Sequence, residues 1–517
     1  MLFMKVIERL KPYSLPILAG FFHGTSYVPF PPWALFFCLV PLWLFWIQAP
    51  AKKLFWGTSL CFFIGTLIGF HWIAYTAHEF GHLPWAVSVL VLLLFCIFAN
   101  IHFALAGLVW KFLTYKTRGH FKLILLPLVT ACFAYFFPTL FPWNYGHPWL
   151  FGHLPGVQLA DVVGIDGIST LTIGLNFLIF MAFYKKNYQV WLGAFLLAFA
   201  SINTLGFFHQ FNISQTSHSI NVLFVQANIG NLEKQYALHQ NRYREVVVNK
   251  FLNMTETALE KSVVKPDMII WPETAYPNYV DKDNFSVQNA ELYDMAQRYS
   301  ASFITGFYDY TPSYDRPSNA MLYVSREGHL TDAPTHKSIL LAFGEYLPGA
   351  EWFPWLKKLA PMVSDFQKGP GPEVRKLDEY VIGPLICYEA LFPNFARKLA
   401  LEGADFFVNL TNDSWYGKTF EPWQHLYIAA GRAIENRIPL LRSTNTGYTT
   451  AVLETGEVLE LSTLGSEWAE VLKIPYHKDR KPTAFQVWGW YAHWILLLFT
   501  TVVFVVYGWL KYYYERT

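Results

Sequence analysis

The sequence predicts a bundle of about eight membrane-spanning helices that carries one mixed-sheet α/β domain. Three observations lead there. The 517-residue chain is 53% hydrophobic and 19% aromatic, with only 15% charged residues, which is more apolar than a water-soluble chain of this length. Its apolar residues gather in runs near the 20 or so needed to cross hydrocarbon, seven before residue 212 and one near 486–511. Between them, short apolar runs alternate with amphipathic ones, the pattern of strands and helices in one α/β unit. The expected domains are a seven-span bundle at 1–212, an α/β domain at 213–485, and a last span with its tail at 486–517.

The apolar runs lie near 13–29, 31–49, 54–76, 84–110, 121–139, 166–184 and 189–209, the first two flanked by prolines. No small-residue cleavage site follows the first, so it reads as a retained helix. Trp33, Trp72, Trp85, Trp110 and Trp143 stand near run ends, where an interfacial belt would put them. Lys5, Arg9 and Lys11 precede the first run, Lys52 and Lys53 follow the second, and Lys111, Lys116, Arg118 and Lys122 surround the fourth-to-fifth loop. Lys185 and Lys186 follow the sixth run, and Lys511 and Arg516 the last, whereas 77–83 and 140–165 contain no Lys or Arg. The positive-inside bias then puts both termini in the cytoplasm and 213–485 on the outer face, periplasmic in a Gram-negative inner membrane. The net charge of +2, without a basic stripe, gives no sign of nucleic acid.

Within the polar segment, 220–226 reads as a buried strand, 236–262 as a long helix, 267–273 as a strand and 286–299 as a helix. Strands follow at 302–310, 320–325 and 380–390, then a helix near 393–402, a strand at 405–413, a helix at 422–436 and two strands over 439–454. The proline-rich stretch 344–379 reads as a loop over a site.

Five cysteines are present. Cys38, Cys61, Cys96 and Cys132 lie in apolar runs, as small hydrophobes do. Cys387 is alone in the polar segment, at the end of the apolar run GPLIC, and has no cysteine there to pair with. Glu273, in IIWPETAYP, and Lys337, in THKSILLAFGEYLP, also stand at ends of apolar strands. A thiol, a carboxylate and an ammonium suffice for acyl transfer. The thiolate is the nucleophile, the carboxylate takes its proton, and the ammonium and backbone N–H groups stabilise the oxyanion.

The order Glu273, Lys337, Cys387 within WPET, the GEYLP loop and ICYE resembles the nitrilase, or carbon–nitrogen hydrolase, superfamily. With the eight runs, FPWNYG (141–146), FVQANI (224–229), LTNDSWYG (410–417) and RSTNTG (442–447), the chain resembles that superfamily's membrane-embedded branch, the bacterial apolipoprotein N-acyltransferases. The resemblance covers nearly the whole chain. It implies an αββα sandwich, with Glu273 as general base, Lys337 supporting the oxyanion and Cys387 carrying a thioester. It also implies that Glu345 orients the lysine or assists proton transfer, that Tyr388 and Glu389 flank the nucleophile, and that Trp415 lies on a mobile loop by the site. Where the family often has Lys-Trp after QxNI, this chain has Lys234-Gln235.

The implied reaction is ping-pong. Cys387 takes an acyl chain from a membrane phospholipid and passes it to the N-terminal amine of a diacylglyceryl apolipoprotein. No cofactor or metal is implied, no P-loop or nucleotide fingerprint is present, and a monomer is expected. A membrane-anchored amidase, passing the thioester to water, is the closer alternative. The other is a zinc protease built on HEFGH (78–82), which fits H-E-x-x-H with Asp166 as third ligand. Gly81 and Pro84 argue against the continuous helix that such a site needs. His102, inside the fourth run, reads as a hydrogen-bonding contact between helices.

Overall fold

The computed structural model describes residues 11–115, 121–142, 144–211, 218–230, 241–279, 287–309, 316–331, 333–359 and 363–514. Lys5, Arg9, Lys116, Arg118, Trp143, Lys234, Gln235 and Arg516 lie outside the described residues, as do the first turn of the helix expected from 236 and the end of the strand expected at 302–310. The chain forms two compact units, one of Met1–Ala77, Leu83–Ile213 and Val487–Thr517, the other of His78–His82 and Ser214–Gln486.

The first unit is helical. Trp85–Leu113, Pro155–Lys185, Tyr188–Phe211 and Gly489–Val506 are long and apolar enough to cross a membrane. Ala51–Gly69 and Trp72–Glu79 make a fifth if taken as one span bent by 60°. The runs at 13–29 and 31–49 hold shorter helices, Ser14–Gly24 and Val40–Gln48, joined by turns around Pro29, Pro31 and Pro32, where missing N–H groups and fixed φ interrupt helix. Trp33 and Trp85 are exposed, but Trp72 and Trp110 are buried in the bundle, contrary to a belt position, and Trp110 Nε1 donates to the Lys122 carbonyl at 2.8 Å. Gly20 and Gly24 lie so close to Cys61 and Gly65 of Ala51–Gly69 that an added Cβ would strike that helix's carbonyl oxygens, a close approach of the small-residue kind. The expected His102 hydrogen bond is replaced at Nδ1 by aromatic packing: that atom has no partner among the described residues, and the ring stacks on Phe137 at 4.8 Å.

The FPWNYG loop is fastened by hydrogen bonds that keep its polar groups satisfied among apolar helices. Asn144 Nδ2 donates to Asp166, Gly146 N to Asn144 Oδ1 at 2.7 Å, Tyr145 N to Ser169 Oγ at 3.1 Å, and Trp149 Nε1 to Thr172 Oγ1 at 2.7 Å.

The second unit is a four-layer sandwich. Its first sheet runs β12-β1-β2-β4-β5-β6, with β3 also on β4: β1 is His218–Gln226, β2 Met268–Ile270, β3 Tyr276–Tyr279, β4 Ser302–Asp309, β5 Ser318–Val324, β6 Thr335–His336 and β12 Trp468–Tyr476. The second runs β11-β10-β9-β8-β7: β7 is Arg375–Leu377, β8 Tyr380–Ile386, β9 Phe406–Thr411, β10 Leu440–Thr444 and β11 Thr450–Val452. The first sheet has a parallel set of β1, β2 and β4, with β3 parallel to β4 as well, and the second a parallel set of β8, β9 and β10; the remaining strands pair antiparallel. Parallel strands need both faces covered, and β9 is buried along its whole length.

Helices α1 (Asn241–Lys261) and α2 (Val287–Tyr299) cover the first sheet, where Phe251 stacks on Trp271 and Trp271 Nε1 donates to Thr255 Oγ1 at 3.0 Å. Helices α3 (Pro393–Leu401) and α4 (Glu421–Asn436) cover the second. Gln226, at the end of β1, staples the sheets together: its Oε1 accepts from Thr444, Thr449 and Ser462 at 2.7–3.0 Å. The strand expected at 380–390 ends at Ile386, because Cys387 is left-handed (φ 50°) and starts a 3₁₀ turn, Cys387–Leu391. The stretch 344–379 is mostly loop but includes the short helix Leu356–Leu359 and β7.

Candidate active site

Ligand sites in open α/β sheets gather where parallel strands end at their carboxyl edge, and the reactive groups here do the same. Glu273 follows β2, Cys387 follows β8, and Asp413 follows β9. Lys337 follows the two-residue β6, held by its N–H to the Asn319 carbonyl at 2.8 Å. The Glu273 turn crosses β4 at Gly306, whose N–H donates to the Pro272 carbonyl at 3.1 Å. A Cβ there would come within 2.6 Å of Glu273 Cα.

The structure brings Glu273, Lys337, Glu345 and Cys387 into one buried cluster. Lys337 Nζ lies 3.2 Å from Glu273 Oε1 and 2.7 Å from Glu345 Oε1. Asn319 Nδ2 donates to the same two oxygens, at 2.7 and 3.3 Å, and Leu341 N–H donates to Glu345 Oε2 at 2.8 Å. Asn319 was not legible as a site residue: it sits inside β5, just ahead of the stretch 320–325 that reads as strand.

Burial pulls the Lys337 pKa down, but the charges of Glu273, Glu345 and Cys387 outweigh it and hold the ammonium well above its ordinary value. Burial pushes the Cys387 thiol up. Glu273 and Glu345 add to that push, while Lys337 and a hydrogen bond with Thr411 oppose it. The resting sulfur is therefore a thiol that needs a base, and a carboxylate stands beside it.

The Glu389 carboxylate is held by three backbone N–H groups. Its Oε1 accepts from Ser338 N–H at 2.6 Å and Ile339 N–H at 3.2 Å, and its Oε2 from Ile386 N–H at 2.8 Å. One carboxylate thus ties the residue after Lys337 to the residue before Cys387. Burial raises its pKa to about 7 against the pull of those N–H groups. Tyr388 is buried with its ring against Phe392, centroids 5.0 Å apart. Trp415 lies in the 3₁₀ turn Asp413–Trp415 and packs edge-on against Phe80 of the 78–82 segment at 3.9 Å. Tyr416 beside it is buried.

The zinc-site reading of HEFGH fails on geometry. The helix ends at Glu79 and His82 is left-handed (φ 50°), so the two histidines do not face one way from a continuous helix. Asp166, its third ligand, is bound by Asn144. Among the described residues, the carboxylates and imidazole that do converge are Asp413, Glu421 and His425. Sequence reading passed over them. The available signal was Glu421 and His425 four apart on one helix face, with Asp413 inside LTNDSWYG.

A carbon–nitrogen hydrolase family model matches residues 224–474, and a model of the apolipoprotein N-acyltransferase N-terminal domain matches residues 19–178. The chain is 44% identical over 510 residues to an apolipoprotein N-acyltransferase of Bdellovibrio bacteriovorus, covering 95% of this chain and 92% of that one. It is 27% identical over 482 residues to an apolipoprotein N-acyltransferase of Geobacter metallireducens, covering 88% of each. Among solved structures, a carbon–nitrogen hydrolase of Helicobacter pylori G27 aligns with 50% of this chain and 89% of its own, at 18% identity and a TM-score of 0.38.

Proposed function

The chain belongs to the apolipoprotein N-acyltransferase family, and on that premise we propose how its residues move an acyl chain from phospholipid to lipoprotein. The observation that carries the assignment of roles is the buried cluster in which Lys337 Nζ bridges Glu273 and Glu345 beside the Cys387 thiol.

Glu273 takes the thiol proton and Cys387 Sγ attacks the ester carbonyl of a membrane phospholipid. The Lys337 ammonium stabilises the oxyanion, in a setting where low dielectric strengthens it. The C–O bond breaks, the proton on Glu273 goes to the departing lysophospholipid oxygen, and a thioester remains on Cys387. The α-amine of a diacylglyceryl-cysteine then attacks the thioester and gives a proton to Glu273. The C–S bond breaks, the sulfur recovers its proton, and the product is an amide. An α-amine has an ordinary pKa of about 7.7–8.0, so much of it is already neutral and nucleophilic near pH 8. Glu345 and Asn319 hold Lys337 and Glu273 in register, and Glu389 holds the nucleophile's turn against the lysine's loop.

The loops free of Lys and Arg at 77–83 and 140–165 support an orientation with the 213–485 domain outside the cytoplasmic membrane and both termini inside. That orientation brings the thiol to the leaflet where both lipid substrates lie. Holding the active centre at the bilayer surface spares extraction of acyl chains, which costs about 0.8 kcal/mol per CH₂.

Incubating the pure protein with phospholipid alone, then digesting it and weighing the peptides, tests the reading. One acyl chain is expected on the Cys387 peptide, lost when a diacylglyceryl peptide is added and then found on that peptide's amine. Cys387→Ser and Cys387→Ala are expected to yield no N-acylated peptide. Full transfer by either variant would overturn the assignment, and release of free fatty acid without transfer would favour the amidase.

A further inference from the structure

A second buried network touches Cys387 and has no part in the transfers above. Arg442, on β10, donates from Nη2 to Asp413 Oδ2 at 2.9 Å and from Nη1 to Asn409 Oδ1 at 2.5 Å. Asn409 Nδ2 in turn donates to the Leu385 carbonyl of β8 at 2.9 Å. Asp413 Oδ1 accepts from Thr411 Oγ1 at 3.2 Å and faces His425 Nδ1 at 3.0 Å. The other ring nitrogen, His425 Nε2, lies 3.4 Å from the Cys387 carbonyl oxygen. Glu421 Oε1 stands 3.7 Å from His425 Nδ1. All of these side chains are buried.

The triad of Asp413, Glu421 and His425 has the spacing of a cation site. A divalent ion there would sit beside the Arg442 guanidinium and would have to break the His425–Asp413 contact, so like-charge repulsion disfavours it. What the network does reach is the nucleophile's backbone. Cys387 is a non-glycine residue at φ 50°, a conformation that persists only where its surroundings impose it. Its turn is held from both sides: the Ile386 N–H by Glu389, and the Cys387 carbonyl by the imidazole. Both ring nitrogens face oxygen acceptors, so both contacts are hydrogen bonds only in the doubly protonated ring, a form that burial and the Arg442 charge oppose, drawing the His425 pKa below its ordinary value, and that Asp413 and the Cys387 carbonyl favour.

We propose that His425 is a positioning residue for the acyl transfer. Through Nε2 it holds the Cys387 carbonyl, and with it the left-handed turn that aims Sγ at the acyl carbonyl. Asp413, anchored by Arg442, orients the ring. The inference rests on the reading of Cys387 as the nucleophile, and the experiment separates the two.

In the full-length protein in phospholipid-containing micelles, His425→Gln keeps an amide N–H near the place of Nε2. His425→Asn keeps one near Nδ1, facing Asp413, and loses the reach to the carbonyl. Acyl-enzyme formation at Cys387 in a single turnover, kcat and KM for a diacylglyceryl peptide, and the melting temperature are measured for each. The Asn variant is expected to form acyl-enzyme about 10²-fold more slowly, the loss expected from roughly 1 Å of misplacement. Its KM and melting temperature should stay unchanged, and the Gln variant should recover most of the rate. Equal rates in wild type and the Asn variant, equal losses in both variants, or unfolding of the Asn variant would overturn the proposal. Absence of acyl-enzyme at Cys387 in the wild type would instead overturn the reading beneath it.

Discussion

Burial and the negative charge of Glu273 keep the Cys387 sulfur protonated, and Lys337 pulls the other way. The signs give a prediction for single residues. Alkylation by iodoacetamide requires thiolate, so its rate in the wild type should climb with pH past the range of an ordinary cysteine. Glu273→Gln removes an upward push and should move that profile to lower pH. Lys337→Met removes a downward pull and should move it to higher pH, and both should abolish turnover. An unmoved profile in either variant would contradict the electrostatic account. At this scale the sequence showed the reactive groups and hid their supports. Glu273, Lys337, Glu345 and Cys387 were legible because each interrupts an apolar run or sits in a motif. Asn319, Thr411, Asp413, His425 and Arg442 were not read as supports, because they lie on four separate segments joined only by hydrogen bonds, and the one local spacing, Glu421 to His425, also occurs on ordinary helix faces. Nor does any pattern announce a left-handed cysteine: in ICYEA the alternation of apolar and polar residues continues the strand past the point where the backbone leaves it.

Elements set the site by where strands stop. β8 and β9 were readable as mainly apolar runs, since parallel strands with both faces covered need no polar alternation. β6 has two residues and β3 four, too short to carry a period, and β12 borders the sheet with a mixed burial pattern, so these escaped notice. The most demanding contact between elements is at Gly306 of β4. Its missing side chain lets the turn bearing Glu273 pass directly over the strand. Gly306→Ala should therefore displace the base and lower kcat by about 10²-fold. Circular dichroism should show the secondary structure intact, and full activity in that variant would mean that the turn relaxes freely. In the helical unit, Gly20 and Gly24 serve a similar end, letting two backbones meet where lipid supplies no hydrophobic drive.

On the scale of the whole molecule, the chain must handle two substrates whose tails lie in a bilayer. The catalytic unit exposes Trp352, Phe353 and Trp355, with Trp352 80% accessible. Aromatic side chains displayed this way suit a membrane interface, where ring and polar edge find different surroundings. Replacing Trp352 and Trp355 together by Asp should cut turnover of phospholipid by about 10²- to 10⁴-fold, from about 1.5–3 kcal/mol for each of the two large apolar side chains withdrawn from the interface. Cleavage of a short water-soluble ester should persist, and equal loss of both would assign the loop to folding instead. The sandwich has a last consequence for this molecule. Its base and ammonium are borne by one sheet and its sulfur by the other, with Gln226 among the few rivets between them. Neither half owns both the sulfur and the carboxylate beside it, so catalysis is a property of their alignment. Sliding one layer past the other by an ångström would silence the enzyme while every strand stayed intact.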